Sequence, residues 1–253
     1  RKISEINIQT CLPELSNEEQ KELVKNSLIE LGKSITELGP LWQWDTNKIL
    51  PLLQIEGKSI VQAAIQNGSG VILVTPHLGC WEIAGLYLGQ QWTTSIFYQA
   101  PKILSLEAII RDARSRTGAH LLATDKRGIS SLLKALKAGQ TIAILPDQTP
   151  KVLGSGTFAP FFGRPALTIN LISKLARKSN AIVLVGFAKR IANGQGYVLR
   201  FQQTQPGIDS SDTVIATSAL NQSVEKLITQ APEQYLWNYK RFKKVPDGLD
   251  KIY

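Results

Sequence analysis

Val71-Ile72-Leu73-Val74-Thr75-Pro76-His77-Leu78-Gly79-Cys80-Trp81-Glu82 is the stretch that decides the fold. Its first residues are an apolar run of strand length, and a histidine follows with a carboxylate five positions beyond it. On an ideal helix five residues advance about 500°, leaving the two side chains about 140° apart, so they cannot meet there. If His77 lies in a loop and a helix begins only at Trp81-Glu82, the chain folds back and brings imidazole and carboxylate together. That geometry suits the activation of a hydroxyl. Gly79 permits the tight turn, and a helix starting near Cys80 directs its free N–H groups and positive dipole end toward the same pocket.

Working outward, apolar runs of strand length recur at Ser95–Gln99, His120–Thr124, Thr141–Leu145, Ala181–Phe187 and Tyr197–Gln202. Helix-like stretches lie between them at Trp81–Gly89, Leu104–Arg116, Gly128–Lys137 and Pro165–Ser179. This alternation predicts an α/β fold with a central mixed sheet flanked by helices. Ser16-Asn17-Glu18-Glu19 is a capping-box pattern, so Ser16–Leu38 reads as a helix with Leu23, Leu28, Ile35 and Leu38 on its packed face. Asp212–Gln230 reads as another helix, and Pro146–Pro165 as a long functional loop. No repeat or linker divides the chain. The expectation is one domain over 1–253, with 1–45 a helical segment packed on the α/β core.

Composition narrows the function. Lys+Arg 29 against Asp+Glu 20 gives a net charge of +9, which favours an anionic partner. Cys11 and Cys80 form neither a metal spacing nor a redox pair, which points to a reducing compartment. The longest apolar stretch, Ala181 to Ala188, falls far short of the roughly 20 residues that cross a bilayer. With no methionine, the chain is expected to be part of something longer.

His77 is one of two histidines; the other, His120, opens a strand and reads as structural. No ligand cluster or dinucleotide fingerprint is present, so neither metal nor cofactor is expected. Arg111, Arg114 and Arg116 share one helical stretch and read either as a solvated face or as an anion site. Asp147-Gln148 sits where a strand's C-terminal end meets a loop, the usual place for ligands in open α/β sheets. Phe158, Phe161, Phe162 and Gly163 lie in an aromatic, glycine-containing loop suited either to core packing or to a slot for a hydrocarbon chain.

Together, Cys11-Leu12-Pro13-Glu14-Leu15-Ser16, His77 to Glu82, Pro146-Asp147-Gln148, Phe161-Phe162-Gly163-Arg164-Pro165-Ala166, and Pro232-Glu233-Gln234-Tyr235-Leu236-Trp237 with Arg241-Phe242-Lys243 resemble the bacterial lipid A late acyltransferases, within the lysophospholipid acyltransferase superfamily. The resemblance covers nearly the whole chain. It implies transfer of a fatty acyl group from acyl carrier protein to a hydroxyl of a phosphorylated glucosamine lipid. The implied place is the cytoplasmic face of the inner membrane, held peripherally or through an N-terminal anchor outside this chain. It implies that His77 and Glu82 are the catalytic pair, with Arg114 and Asp147 a supporting charged pair. Gly79, Arg111, Arg116, Gln148, Phe158, Phe161, Phe162 and Gly163 are then expected to bind substrate. Asparagine commonly occupies the position of Cys80. A basic rim including Lys240, Arg241, Lys243 and Lys244 would meet the acidic carrier or the lipid phosphates, and nucleic acid is not expected. The rival readings are an acyltransferase for a glycerophospholipid or aminolipid acceptor, and a catalytically silent lipid-binding protein.

Overall fold

The computed structural model describes residues 1–101, 103–150 and 153–253. Lys151 and Val152 of the expected long loop lie outside the described residues. Among the described residues the central sheet has seven strands: β1 (Leu53–Glu56), β2 (Val71–Val74), β3 (Thr94–Tyr98), β4 (His120–Ala123), β5 (Thr141–Ile144) and, after a hairpin of β6 (Gly156–Phe161) and β7 (Arg164–Ile169), β8 (Ile182–Arg190) and β9 (Tyr197–Gln203). Their order is β1-β9-β8-β2-β5-β3-β4, with β8 and β9 antiparallel and every other neighbouring pair parallel. The expected mixed sheet is therefore present.

The helices are α1 (Lys2–Cys11), α2 (Asn17–Thr36), α3 (Leu38–Gln43), α4 (Thr46–Ile49), α5 (Lys58–Gln66), α6 (Trp81–Gln91), α7 (Leu104–Ser115), α8 (Lys126–Lys137), α9 (Leu171–Ser179) and α10 (Thr213–Ile228). Strand residues alternate between two buried clusters, as a period of two requires. Val71, Leu73 and Ala143 pack with Val61 and Ala64 of α5 and Ile83 and Ala84 of α6. Ile72, Val74, Ile142 and Ile144 pack with Leu132 of α8, Ile172 of α9 and Leu220 of α10, and Ile8 and Val24 from α1 and α2 join the same cluster. Both faces of β2 and β5 are thus covered, which explains their unbroken apolar runs.

Topology positions the site. From β2 the chain crosses through α6 toward β3, while from β5 it crosses through the hairpin and α9 toward β8, on the other side of β2. The adjacent parallel strands β2 and β5 therefore flank a topological switch point, whose C-terminal side is the usual place for ligands in open α/β sheets.

Three expectations need correction. Pro165 does not open a helix: Arg164–Ile169 pairs antiparallel with Gly156–Phe161, and the expected long loop contains that hairpin. Phe162 (φ 48°) and Gly163 (φ 76°) form its two-residue turn, both in the left-handed region that a type I′ hairpin requires. Ile35 does not face the core; it is 62% exposed, and α2 instead buries Val24, Ser27 and Glu30. The cause is Arg190 at the end of β8, buried and paired with Glu37 at 2.8 Å and Glu30 at 3.5 Å, which turns the polar stripe of α2 inward. The capping box at Ser16 forms as expected. Elements α4, β1 and α5 form where no expectation was set.

Candidate active site

Val74 of β2 lies opposite Ile144 of β5. Three residues beyond each, the chain reaches His77 and Asp147, so register alone brings the two side by side. The ring Nδ1 is 2.8 Å from Asp147 Oδ1, and the His77 backbone N–H donates to Oδ2 at 3.0 Å. Burial pushes the Asp147 carboxyl up, but the His77 ring, its two hydrogen bonds and the Arg241 charge outweigh burial and hold it below its ordinary range. An ionised carboxylate only accepts, so Nδ1 carries the proton and Nε2 of the neutral ring is left as the acceptor. The Gln148 side-chain amide approaches Nε2 at 3.3 Å from an exposed position.

The loop that holds the ring is braced from the far end of the chain. Leu236 N–H donates to the His77 carbonyl at 3.0 Å, and Gly79 N–H to the Gln234 carbonyl at 3.1 Å. Gly79 sits at φ 62°, and a Cβ there would lie 2.1 Å from the Ala188 carbonyl oxygen, so only glycine fits this turn. Helix α6 then begins at Trp81, whose ring meets that of His77 edge-on at 5.2 Å.

The pairing of charges differs from expectation. Glu82 contacts Arg114 through two bonds, Nε to Oε2 at 3.0 Å and Nη2 to Oε1, and accepts from Trp42 Nε1 at 3.3 Å. Among the described residues no hydrogen bond joins His77 to Glu82, nor Arg114 to Asp147. The physical reason is that Glu82 lies within the first turn of α6 and faces α7, whereas the end of β5 lies directly beside the ring. Sequence proximity suggested Glu82 as the ring's partner; sheet register supplies Asp147 instead.

Of the three arginines, only Arg114 reaches Glu82. Arg111 is exposed and pairs with Glu107 at 2.8 Å, while Arg116 donates to the Trp44 carbonyl at 2.7 Å and to that of Trp42 at 3.3 Å, clamping the end of α3. Phe161 is packed shut, 1% exposed, against Tyr235 and Phe242; Phe158 and Phe162 are half-buried, and Gly163 is an exposed turn residue. Arg241 is not part of a rim: it is 3% exposed, whereas Lys240, Lys243 and Lys244 are exposed. Cys80 is buried and its thiol is pushed up to about 12, with burial the main cause, so it is protonated at neutral pH. Sequence reasoning missed Trp42 and Tyr235. Buried Tyr235 packs on Phe161 and Trp237 beside the site loop, and only its place in the Pro232–Trp237 block hinted at a role. Among the described residues no cluster of His, Cys, Asp and Glu suits a metal, and no helix is long and apolar enough to cross a membrane.

His77 is thus held by the buried Asp147 carboxylate beyond the ends of β2 and β5, and Glu82 of α6 is fixed by Arg114 of α7. Residues 1–244 match the family model described as bacterial lipid A biosynthesis acyltransferase, and the chain belongs to that family of acyltransferases. It is 29% identical over 252 residues to the lipid A biosynthesis palmitoleoyltransferase of Escherichia coli (strain K12), covering 99% of this chain and 81% of that protein. The lauroyltransferase of the same organism is 28% identical over 257 residues, covering 100% of this chain and 82% of that protein. Its myristoyltransferase is 26% identical over 249 residues, covering 96% of this chain and 75% of that protein. Three relatives named for different acyl groups stand at nearly equal identity, so identity does not select an acyl length.

Proposed function

We propose that this protein transfers a fatty acyl group from an acyl carrier protein thioester to a hydroxyl of a phosphorylated glucosamine lipid, at the cytoplasmic surface of the inner membrane. Family membership supports the lipid acceptor. The observation that carries the chemistry is the His77–Asp147 pair, which leaves Nε2 as the acceptor beneath an exposed, displaceable Gln148 amide. The acceptor hydroxyl takes the place of that amide. Nε2 removes the hydroxyl proton as its oxygen attacks the thioester carbonyl, and Asp147 stabilises the imidazolium that forms. Arg114 spends Nε and Nη2 on Glu82, and we assign its Nη1 to the developing oxyanion. Collapse of the adduct expels the carrier thiolate, which receives the proton from His77. Half-buried Phe158 and Phe162 are the part of the aromatic stretch assigned to the acyl chain.

The attack is direct, because the one nearby thiol is buried and protonated. Cys80→Ser should therefore keep most of its activity, and mass spectrometry of wild-type enzyme mixed with acyl carrier alone should find no acylated protein. An acyl group on Cys80 would replace direct attack with a two-step mechanism. A second expectation concerns encounter. Exposed charges act over about 8 Å at physiological salt, so raising salt should lower the second-order rate constant. Charge reversal at Lys243 and Lys244 should reduce both the rate and its salt slope; a flat wild-type profile would remove this role.

Labelled acyl carrier offered with a panel of acceptors tests the whole reading. Transfer to the phosphorylated glucosamine lipid above a lysoglycerophospholipid and an aminolipid is expected. Preference for either of the latter reassigns the acceptor, and no transfer to any favours a lipid-binding protein.

A further inference from the structure

Exposed apolar side chains gather at the end of the sheet that carries His77. Trp44 is 58% exposed, Leu52 48%, Ile103 59%, Leu106 37% and Ile109 41%. Strand direction fixes where they lie. β3 runs parallel to β5, and β5 to β2, so α7 opens at the His77 end, with Ile103 at its cap and Leu106 and Ile109 in the turns that follow. β1 runs parallel to β9, which is antiparallel to β8, so β1 starts at that same end and Leu52 directly precedes it. Trp44 caps the C-terminus of α3, which packs on both α6 and α7.

Trp44 is held out by a rigid frame. Arg116, just past α7, donates Nη1 to the Trp44 carbonyl at 2.7 Å and Nη2 to that of Leu41 at 2.5 Å. Two residues earlier Trp42 turns inward and donates Nε1 to Glu82 at 3.3 Å. One tryptophan thus enters the site while the next is fixed in solvent beside it. Exposed apolar groups gathered around a site mark an interaction surface, and tryptophan favours the boundary between bilayer and water.

Charge at this end suits an anionic bilayer. Lys48, one turn beyond Trp44, is exposed, as are Lys243 and Lys244, whose segment is tied to the loop after β5 by Thr149 Oγ1 donating to the Arg241 carbonyl at 3.3 Å. The acidic residues beside the apolar ones are engaged: Asp45 accepts from Asn47 N–H at 2.8 Å, and Glu107 pairs with Arg111 at 2.8 Å. A lipid acceptor must reach His77 from this end, because the ring lies beyond the ends of β2 and β5. A bilayer covers the apolar groups and delivers that acceptor at once.

We propose that Trp44, Leu52, Ile103, Leu106 and Ile109 form a docking surface for an anionic phospholipid bilayer. The apolar side chains enter the headgroup region, and Lys48, Lys243 and Lys244 meet lipid phosphates. This rests on the reading of the protein as an enzyme whose acceptor lies in a membrane, and it names the face that meets that membrane.

Sedimentation of the full chain with vesicles of phosphatidylethanolamine and phosphatidylglycerol measures docking. The triple variant Trp44→Ser, Leu106→Ser, Ile109→Ser should bind about tenfold more weakly or worse, since three apolar side chains no longer leave water. The paired variant Val214→Ser, Ile215→Ser changes side chains 50% and 54% exposed at the start of α10, near Gly207 past the end of β9 and so at the opposite end of the sheet. It should bind like the wild type. Unchanged binding in the triple variant, or an equal loss in the paired one, overturns the proposal. So does a triple variant that keeps its hold on vesicles but loses acyl carrier binding or self-association, which assigns the face to the carrier or to a second copy. A water-soluble, short-chain glucosamine acceptor separates docking from chemistry. The triple variant should acylate it at the wild-type rate; a fall as large as the loss of vesicle binding shows damage to the site and overturns the proposal. Absence of wild-type transfer to that acceptor removes the proposed reaction instead, while vesicle binding still decides the docking surface.

Discussion

His77→Ala should abolish measurable transfer, lowering kcat/KM by about 10³-fold or more while donor binding changes little. A positioned general base contributes about 10²–10⁴-fold, and an alcohol is a weak nucleophile at neutral pH without one. Binding should survive because the ring offers little surface, its side chain being 17% exposed. Folding should survive too. The loop is held by backbone bonds, His77 N–H to Asp147 and Leu236 N–H to the His77 carbonyl, which alanine retains. Steady-state kinetics with labelled donor, alongside a donor-binding titration, checks both halves. Full activity in a folded variant would sink the base assignment.

Asp147→Asn should be the next most damaging change, costing about 10²–10³-fold in kcat and more than Glu82→Gln. The amide cannot stabilise the imidazolium, and its N–H₂ competes to donate to Nδ1, which would move the ring proton to Nε2 and disarm the base. Glu82→Gln acts elsewhere. It loosens the two-point grip on Arg114 and the bond from Trp42, so its cost falls on the oxyanion side. The order of the two kcat losses discriminates the carboxylates: a larger loss in Glu82→Gln would return the orienting role to the residue nearer in sequence.

The backbone of the site was legible in sequence, and its partners were not. The apolar run at Val71–Val74, the turn at Gly79 and the helix start at Trp81 follow from strand propensity, glycine's conformational freedom and helix-end chemistry, all of them local. The carboxylate against the ring lies 70 residues away. It was reachable only through strand order, and a single sequence does not state which parallel strands are neighbours. The hairpin was missed for a related reason. Phe162-Gly163 is a poor match to the Asn-Gly type of turn signal, and prolines at Pro160 and Pro165 argue against a strand, although a two-stranded ribbon tolerates them at its unpaired edges. Arg241 looked like surface charge because it sits among lysines. Its burial depends on Phe161 and Leu167, which come from the hairpin that was not foreseen.

The most direct test of the claim that Asp147 arms His77 is the protonation of the two ring nitrogens, read by NMR on protein labelled with nitrogen-15 in histidine. With two histidines in the chain, a His120→Gln variant assigns the signals. At a pH where the ring is neutral, His77 should show a protonated, strongly hydrogen-bonded Nδ1 and a bare Nε2. That signature should persist in Glu82→Gln and vanish in Asp147→Asn. A bare Nδ1 in the wild type, or a signature that survives Asp147→Asn and disappears in Glu82→Gln, would contradict the assignment of Asp147 as the residue that makes His77 a base.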